Sequence, residues 1–164
     1  MPTLHLLHGP PGSGKTTFAR QLARELPAVR ITPDEMMVIL HGTNPPEAVF
    51  RPANERIKAL IWLQAEQALA AGVDVVLDVG YWGRAGRDEA RQRAQALGAL
   101  CQFYAMKCTM EEARRRVLAR TATMPPGVLE ITGPTFDFLT RQFEPMGADE
   151  PHIVVEPPAP TGSS

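Results

Sequence analysis

The sequence predicts an α/β protein, a three-layer α/β/α sandwich built on a five-stranded parallel sheet. The main observation is that short apolar segments with strand character alternate with segments whose apolar residues recur every three or four positions, as on one face of a helix. Such alternation produces parallel strands joined by helices that cover both faces. The second observation is size: 164 residues, of which 44% are hydrophobic, are enough to bury one substantial core.

The first half of the chain contains three predicted strands and three predicted helices. The strands are short or β-branched apolar runs, at residues 4–8, 28–31 and 73–79. The helices are predicted at residues 17–26, 33–41 and 54–71, the second with Thr32 as N-cap and Pro33 at its first position, the third ended by Gly72. The third should bury Ile57, Leu60, Ile61, Leu63, Ala68 and Leu69. Three prolines in residues 43–52 indicate a loop.

The second half continues the same alternation. Strands are predicted at residues 100–106 and 153–155, and helices at about 87–97, 110–120 and 135–143. Thr109 begins a capping-box pattern with Glu112. Residues 121–134, rich in Pro and Gly, indicate a loop broken by short elements. We expect residues 1–156 to form one domain and residues 157–164, rich in Pro, Ser and Gly, to be a disordered tail.

A phosphate-binding loop is predicted between the first strand and the first helix. The pattern G-x-x-x-x-G-K-[ST] is formed by Gly9, Pro10, Pro11, Gly12, Ser13, Gly14, Lys15, Thr16 and Thr17. Glycines let successive backbone N–H groups point inward at a phosphate, and the helix that follows adds about half a positive charge. Lys15 would reach the β- and γ-phosphates and Thr16 would bind Mg²⁺. The alternative is a glycine-rich turn that only connects a strand to a helix.

Two carboxylates follow strands that should end at the same edge of the sheet. Asp34 comes just after the second strand, where it could accept the proton of an attacking hydroxyl, with Glu35 as the reserve candidate. Asp78 follows Val75-Val76-Leu77, the usual place of an acid that holds Mg²⁺. The alternatives are an acid that favours the helix dipole, for Asp34, and a polar strand end, for Asp78.

Arginines supply the remaining candidate residues. Arg116 and Arg120, four apart on one helix, precede the Pro/Gly-rich segment and could close over the γ-phosphate as part of a lid at about residues 115–135, with Arg115 behind them. The alternative is a solvated basic face. Arg84 and Arg87 could bind an acidic or phosphorylated substrate. In the same loop, Trp82 and Tyr81 could stack on a substrate ring, although aromatic residues in a loop more often pack onto the core.

Composition limits the classes of partner. A net charge of −1 gives no general attraction to nucleic acid, and no apolar run is long enough for a membrane span. We expect no signal peptide, because the chain runs directly into the first strand. Cys101 and Cys108 lack a second pair or histidine cluster and are interpreted as free thiols. The predicted location is the cytoplasm.

These residues resemble the small P-loop kinases of the zeta toxin, chloramphenicol phosphotransferase and polynucleotide 5′-kinase group. The resemblance rests on Gly9–Thr17, Thr32-Pro33-Asp34, Val76-Leu77-Asp78 and the arginine helix. It implies a P-loop NTPase fold with strand order 2-3-1-4-5, ATP and Mg²⁺ as cofactors, Asp34 as base and lid arginines at Arg116 and Arg120. Many members follow the strand-end Asp with a small residue and then Asn or Thr. Here Val79-Gly80-Tyr81-Trp82 departs from that pattern, which leaves the acceptor open.

Three functions remain open from the sequence. The first is an ATP-dependent kinase that phosphorylates a hydroxyl of a small molecule. The second is a polynucleotide or RNA 5′-hydroxyl kinase, whose basic cleft would depend on local arginines. The third is a regulatory ATPase without an acceptor; a guanine-specific switch is disfavoured because no Asn-Lys-x-Asp segment is present, and a ring-forming ATPase because the chain lacks the length for an additional helical domain.

Overall fold

The computed structural model of the chain, which describes residues 1–157, contains a five-stranded parallel sheet of order β2-β3-β1-β4-β5. Both the α/β class and the strand order expected from the family resemblance are confirmed. The strands are β1 (Thr3–His8), β2 (Val29–Ile31), β3 (Val75–Gly80), β4 (Leu100–Met106) and β5 (Ile153–Val155). The helices are α1 (Lys15–Glu25), α2 (Pro33–His41), α3 (Glu47–Ala70), α4 (Arg84–Ala96), α5 (Met110–Thr123) and α6 (Gly133–Thr140).

Side chains alternate between the two faces of the sheet, and each face has its own apolar cluster. Leu4, Leu6, Val75 and Leu77 pack with the buried residues of α3 and α4. Leu7 and Val76 face the opposite way and pack with α1, together with Tyr104. Because the central strands β1 and β3 are covered on both sides, their carboxyl ends are held rigidly at one edge of the sheet, where the phosphate loop begins.

The start of α3 corrects the sequence prediction. Residues 43–52 were expected to form a loop, but the helix begins at Glu47 and includes Pro52. Its first turn is closed by the N–H groups of Val49 and Phe50, which donate to the Pro46 carbonyl at 2.8 Å. Pro52 removes one further donor, but Phe50 packs against the core and Ala53 is buried, so tertiary packing outweighs the cost of the proline.

The buried face of α3 is also narrower than predicted. Residues spaced four apart face the core, namely Ala53, Ile57, Ile61, Ala65 and Leu69. Leu60 and Leu63 were predicted to be buried, but their exposed fractions are 46% and 52%. The prediction for these two residues was wrong because leucines were grouped by apolarity, whereas two of the five buried positions are occupied by alanines, Ala53 and Ala65.

The remaining boundaries agree with the prediction to within a few residues. The strand predicted from Val73 begins at Val75, α4 begins at Arg84 rather than Arg87, and α6 spans Gly133–Thr140 rather than 135–143. The Thr109 side chain accepts from the Glu112 N–H at 3.1 Å, as predicted for an N-cap. Thr32 lies at the N-cap position of α2, but its side chain makes no capping bond.

Two further predictions concern the chain as a whole. Both cysteines are free thiols, as predicted. Within residues 1–157, no helix combines the length and the apolarity that a membrane span requires. The tail predicted over residues 157–164 lies outside the described residues, apart from Pro157.

Candidate active site

The loop between β1 and α1 forms an open cradle of backbone amides. Gly12 and Gly14 adopt φ angles of 81° and 92°, which side chains of L-residues rarely adopt. Gly14 occupies the N-cap position of α1, yet no side chain caps this helix and no acidic residue lies in its first turn. Among the described residues, its N-terminal N–H groups therefore face the loop without a capping side chain, at the positive end of the helix dipole. This arrangement fits an anion such as a phosphate.

Close packing against α5 holds the loop in this shape. A Cβ atom at Gly12 would collide with the Ala113 carbonyl oxygen and would lie 2.8 Å from Val117 Cγ2. A Cβ atom at Gly9 would lie 2.5 Å from Ser13 Oγ. Gly12 is thus required by contact as well as by backbone angle, and the loop packs against the helix that carries the predicted lid arginines.

Lys15 lies in the middle of the cradle. Its ammonium group donates to the carbonyl oxygens of Gly9 at 2.9 Å and Pro10 at 2.7 Å. Burial in the loop is the main cause that lowers the pKa of Lys15 to about 8, and the negative charges of Asp78 and Asp34 oppose this shift. With this pKa the lysine is mostly protonated at pH 7 and half protonated at about pH 8, and an anion bound beside it would favour the charged form further.

Thr16 and Asp78 come together from α1 and β3, as the sequence predicted. The Thr16 hydroxyl donates to Asp78 Oδ1 at 3.4 Å, and Asp78 is almost completely buried. Desolvation raises the pKa of Asp78, while Arg30 is the leading opposing influence. A hydroxyl and a carboxylate in contact at the end of a phosphate loop are the hard oxygen ligands that Mg²⁺ prefers, so the donor set fits this ion.

Arg30, which the sequence analysis did not select, binds the second carboxylate oxygen of Asp78. Its guanidinium group donates to Asp78 Oδ2 at 2.7 Å and also pairs with Glu35. Arg20 donates to the same Glu35 oxygen at 3.2 Å. Glu35 is therefore engaged in two ion pairs, which lower its pKa although desolvation opposes them, and it is less available as a base than its neighbour Asp34. No sequence motif marks Arg30, because its partners lie five and 48 residues away.

Asp34 lies in the first turn of α2 with an exposed side chain. Within residues 1–157 its carboxylate has no hydrogen bond or ion pair that would tie it down. The cleft raises the pKa of Asp34, first through partial loss of water and second through the negative charge of Asp78, whereas Lys15 and Arg120 act in the opposite direction. Because the side chain stays open to water, solvent moderates this shift. Asp34, Asp78, Lys15 and Arg120 are thus brought together at one edge of the sheet.

The candidate lid arginines differ in their surroundings. Arg120 influences the pKa of both Lys15 and Asp34, and its Nε atom is buried without a hydrogen-bond partner among the described residues. Arg116, one turn earlier, donates to Glu112 Oε1 at 2.9 Å. Arg115 binds the same carboxylate on the exposed side of α5. The geometry therefore favours Arg120 over the other two.

Arg84 and Arg87 are not placed to bind a substrate. Arg87 is 1% exposed, and its guanidinium group makes a bidentate pair with Glu150 at 2.8 and 2.7 Å. Its remaining N–H groups donate to four backbone carbonyls, those of Tyr81, Trp82, Glu144 and Pro145. Arg84 pairs with Asp88 and Asp149 at the surface. Both arginines hold the segment before β5 in place, so neither is retained as a substrate ligand.

Trp82 makes a contact with the phosphate loop that sequence reasoning did not anticipate. Its indole N–H donates to the Gly9 carbonyl at 2.9 Å, and its ring is half-buried. The neighbouring Tyr81 packs edge-on against Phe103 in the core. The sequence analysis considered substrate stacking and core packing for this residue, and the hydrogen bond to the loop is a contact that neither interpretation included. The only hint of this contact in the sequence was that residues 79–82, after Asp78, depart from the pattern of the kinase group.

Comparisons with known proteins agree with this geometry. A family model described as an AAA domain (AAA_33) matches residues 4–146. Among curated proteins, the proteasome-activating nucleotidase of Aeropyrum pernix is 32% identical over 102 residues, a match that covers 60% of this chain and 24% of the nucleotidase. The chain thus spans about a quarter of the length of that relative.

Two solved structures share the fold. A structure of the Pnkp1/Rnl/Hen1 RNA repair complex aligns with a TM-score of 0.72 and 23% identity, covering 86% of this chain and 43% of the other. A gluconokinase from Sinorhizobium meliloti 1021 aligns with a TM-score of 0.64 and 17% identity, covering 94% of this chain and 82% of the other. At these identities the likeness extends to the fold and leaves the substrate open.

Proposed function

The chain belongs to the AAA domain family AAA_33, a P-loop kinase-like family, and on this premise we propose that it is an ATP-dependent phosphotransferase. The proposed reaction moves the γ-phosphoryl group of ATP to a hydroxyl group of a small molecule, with Mg²⁺ as cofactor and the cytoplasm as the location. The observation that carries the proposal is the free carboxylate of Asp34, which lies at the same sheet edge as Lys15 and the Thr16–Asp78 pair. Within residues 1–157 this carboxylate has no hydrogen bond or ion pair, so it is available to accept a proton.

In the proposed mechanism each residue has one role. The backbone amides of Gly9–Thr17 and the Lys15 ammonium bind the phosphates of ATP, and Thr16 and Asp78 would hold Mg²⁺, which would neutralise phosphate charge. Asp34 orients the acceptor hydroxyl and accepts its proton. Arg120, whose Nε has no partner among the described residues, offsets the negative charge on the transferring group. Arg116 would act beside Arg120 only after its hydrogen bond to Glu112 is broken.

We further propose that residues 1–156 act as one domain in which about residues 115–135 form a lid. Two contacts support this. The Glu130 N–H donates to the Thr43 carbonyl at 2.9 Å, and a Cβ atom at Gly127 would lie 3.1 Å from Glu35 Cγ. The segment between α5 and α6 therefore reaches across to both ends of α2, the helix that carries Asp34.

Two alternatives are each favoured by one comparison. The structural likeness to the Pnkp1/Rnl/Hen1 complex favours a polynucleotide or RNA 5′-hydroxyl kinase, although the net charge of −1 gives no support for a nucleic-acid partner. The match to a proteasome-activating nucleotidase favours a regulatory ATPase without an acceptor. The gluconokinase likeness, over most of both chains, is the reason we place the small-molecule kinase first.

A screen for the acceptor separates these functions. ATP consumption is measured with Mg²⁺ across sugars, nucleosides, antibiotics and 5′-hydroxyl oligonucleotides. Stimulation by a small hydroxyl compound supports the proposal, and salt-sensitive stimulation by an oligonucleotide supports the second function. Phosphate release at full rate without any acceptor contradicts both kinase assignments. Lys15→Ala, which removes the ammonium group, should abolish turnover in every case.

The arginine assignment has a matched control on the same helix. Arg120→Ala should lower kcat more than it raises the KM for ATP, because an arginine that acts on the transition state contributes little to ground-state binding. Arg115→Ala, at an exposed position on α5, should leave both constants nearly unchanged. Equal effects of the two substitutions would contradict the role of Arg120.

A further inference from the structure

We propose that Trp82 is a positioning residue for the phosphate loop, which it holds in the conformation that receives nucleotide phosphates. This inference rests on the proposed function, since it concerns the donor site of the same reaction. Trp82 follows the end of β3 by two residues, and its side chain turns back toward the start of the loop at Gly9. Trp82 thus contacts the loop at Gly9, whereas α5 packs against it at Gly12.

The indole of Trp82 donates its hydrogen bond to the carbonyl oxygen of the first residue of the loop, Gly9. The Gly9 carbonyl oxygen accepts one hydrogen bond from the Trp82 indole and one from the Lys15 ammonium, both at 2.9 Å. A carbonyl oxygen has two lone pairs, so both are used. The direction of this carbonyl fixes the first peptide of the loop and the position of Lys15 at the same time. Without the indole, this carbonyl would keep only the hydrogen bond from Lys15 of these two.

Gly80 makes this arrangement sterically possible. A Cβ atom at this residue would lie 2.5 Å from Trp82 Nε1 and 3.0 Å from both the Gly9 oxygen and Lys15 Cε. The indole, the loop carbonyl and the lysine side chain therefore converge on the space that a side chain at residue 80 would fill. Any larger residue there would displace one of the three.

The backbone of Trp82 is itself firmly held. Its carbonyl oxygen accepts from Arg87 Nη1 at 3.1 Å and from the Glu144 N–H at 2.8 Å. Arg87 in turn is locked by its buried pair with Glu150. The indole hydrogen bond thus connects the phosphate loop to a rigid part of the fold. Because the backbone of Trp82 is held in place, the hydrogen bond from its indole can restrain the loop.

The expected consequence concerns the population of the binding-competent loop. A neutral hydrogen bond contributes on the order of 1 kcal/mol net, so its loss should reduce the fraction of competent loops by about threefold to tenfold. The apparent Kd for a nucleotide rises by the same factor as that fraction falls. After binding, the phosphates hold the loop, so kcat should change little.

The test compares the two tryptophans of the chain by titration calorimetry with MgADP and MgATP. Trp82→Phe keeps an aromatic ring but removes the N–H donor, and should raise the Kd by about threefold to tenfold. Trp62→Phe is the matched control, because Trp62 packs on the core beneath Arg93, away from the loop, and should leave the Kd unchanged. With an acceptor in hand, Trp82→Phe should raise the KM for ATP and spare kcat.

The outcomes separate this inference from the proposed function. If Lys15→Ala binds MgADP as tightly as the unaltered protein, the loop is not the nucleotide site and both proposals fail. If Lys15→Ala loses binding but Trp82→Phe retains normal affinity, only the role of Trp82 is refuted.

A second measurement covers the case in which Trp82→Phe does not fold. In the Trp62→Phe protein, Trp82 is the only tryptophan, and its emission should change on addition of MgADP with the Kd found by calorimetry. An emission that saturating MgADP leaves unchanged would overturn the placement of the indole at the loop.

Discussion

Replacement of Asp34 by asparagine is the most informative perturbation of this site. The substitution keeps the shape of the side chain and removes its charge and its capacity to accept a proton. Asp34 is exposed and has no hydrogen bond or ion pair within residues 1–157, so we expect the free energy of unfolding to change by less than about 0.5 kcal/mol. The thermal midpoint should therefore stay within about 2 °C of the original value.

The effect on turnover should be much larger. Loss of a general base costs about 10²- to 10⁴-fold in kcat, which corresponds to about 2.7 to 5.4 kcal/mol in the activation barrier. Binding of MgATP should stay unchanged or become slightly tighter, because the removed charge repels both Asp78 and the phosphates. The assay is steady-state phosphorylation of the acceptor found by the screen, combined with calorimetric titration of MgATP.

Glu35→Gln is the comparison that identifies the base. Glu35 is paired with Arg20 and Arg30, so its substitution should mainly release these two arginines and reduce kcat far less than Asp34→Asn does. Because the pKa of Asp34 is raised, activity should also fall as the pH drops through that pKa from above, and this acidic limb should be absent in Asp34→Asn. Normal turnover of Asp34→Asn, with strong loss in Glu35→Gln, would refute the assignment.

Three further predictions concern the loop and its support. Since the pKa of free Lys15 is about 8 and bound phosphates would raise it, MgATP affinity should fall as pH rises through 8. Calorimetry in buffers of different ionisation enthalpy should detect proton uptake that increases as pH rises through 8 and becomes small about one pH unit below it. Gly12→Ala should lower the thermal midpoint by several degrees more than Gly98→Ala, because both residues have positive φ but only Gly12 faces atoms that a Cβ would strike; equal losses would mean that the contact with α5 contributes nothing. Glu150→Gln breaks the buried pair with Arg87 and should cost about 3 to 5 kcal/mol in denaturant unfolding at neutral pH, and this difference should shrink below the ordinary pKa of 4.5, where Glu150 in the unfolded chain takes up a proton.

The features that could be predicted from sequence are those set by local periodicity or by a dense motif. Strands β4 and β5 were located to the residue, because each is an apolar run between clear turn signals. The phosphate loop was identified because nine consecutive residues encode both its backbone angles and its chemistry. The placement of Asp34 and Asp78 at one edge of the sheet could be predicted because parallel strands have their carboxyl ends at the same edge.

The features that were missed depend on contacts between distant parts of the chain. Arg30 lies on a three-residue edge strand, and its role exists only because β2 pairs with β3 and brings Asp78 beside it. Arg87 was predicted to bind a substrate because the sequence does not reveal its ion-pair partner. That partner, Glu150, lies 63 residues away along the chain. The first turns of α3 were missed because local proline content argued for a loop, whereas burial of Ala53 and packing of Phe50 decided the structure.

The position of Arg30 has a consequence for how the donor and acceptor sites of the proposed reaction would influence each other. One guanidinium group is shared between Asp78, on the side of the metal ligands, and Glu35, on the helix that carries Asp34. A ligand that breaks the ion pair between Glu35 and Arg30 would leave Arg30 paired with Asp78 only. A cation that binds Asp78 would instead leave Arg30 paired with Glu35 only. Such linkage is reciprocal, so each substrate should change the affinity for the other by the same factor. A single arginine can in this way make phosphoryl donor and acceptor bind cooperatively or antagonistically, without any movement of the sheet beneath them.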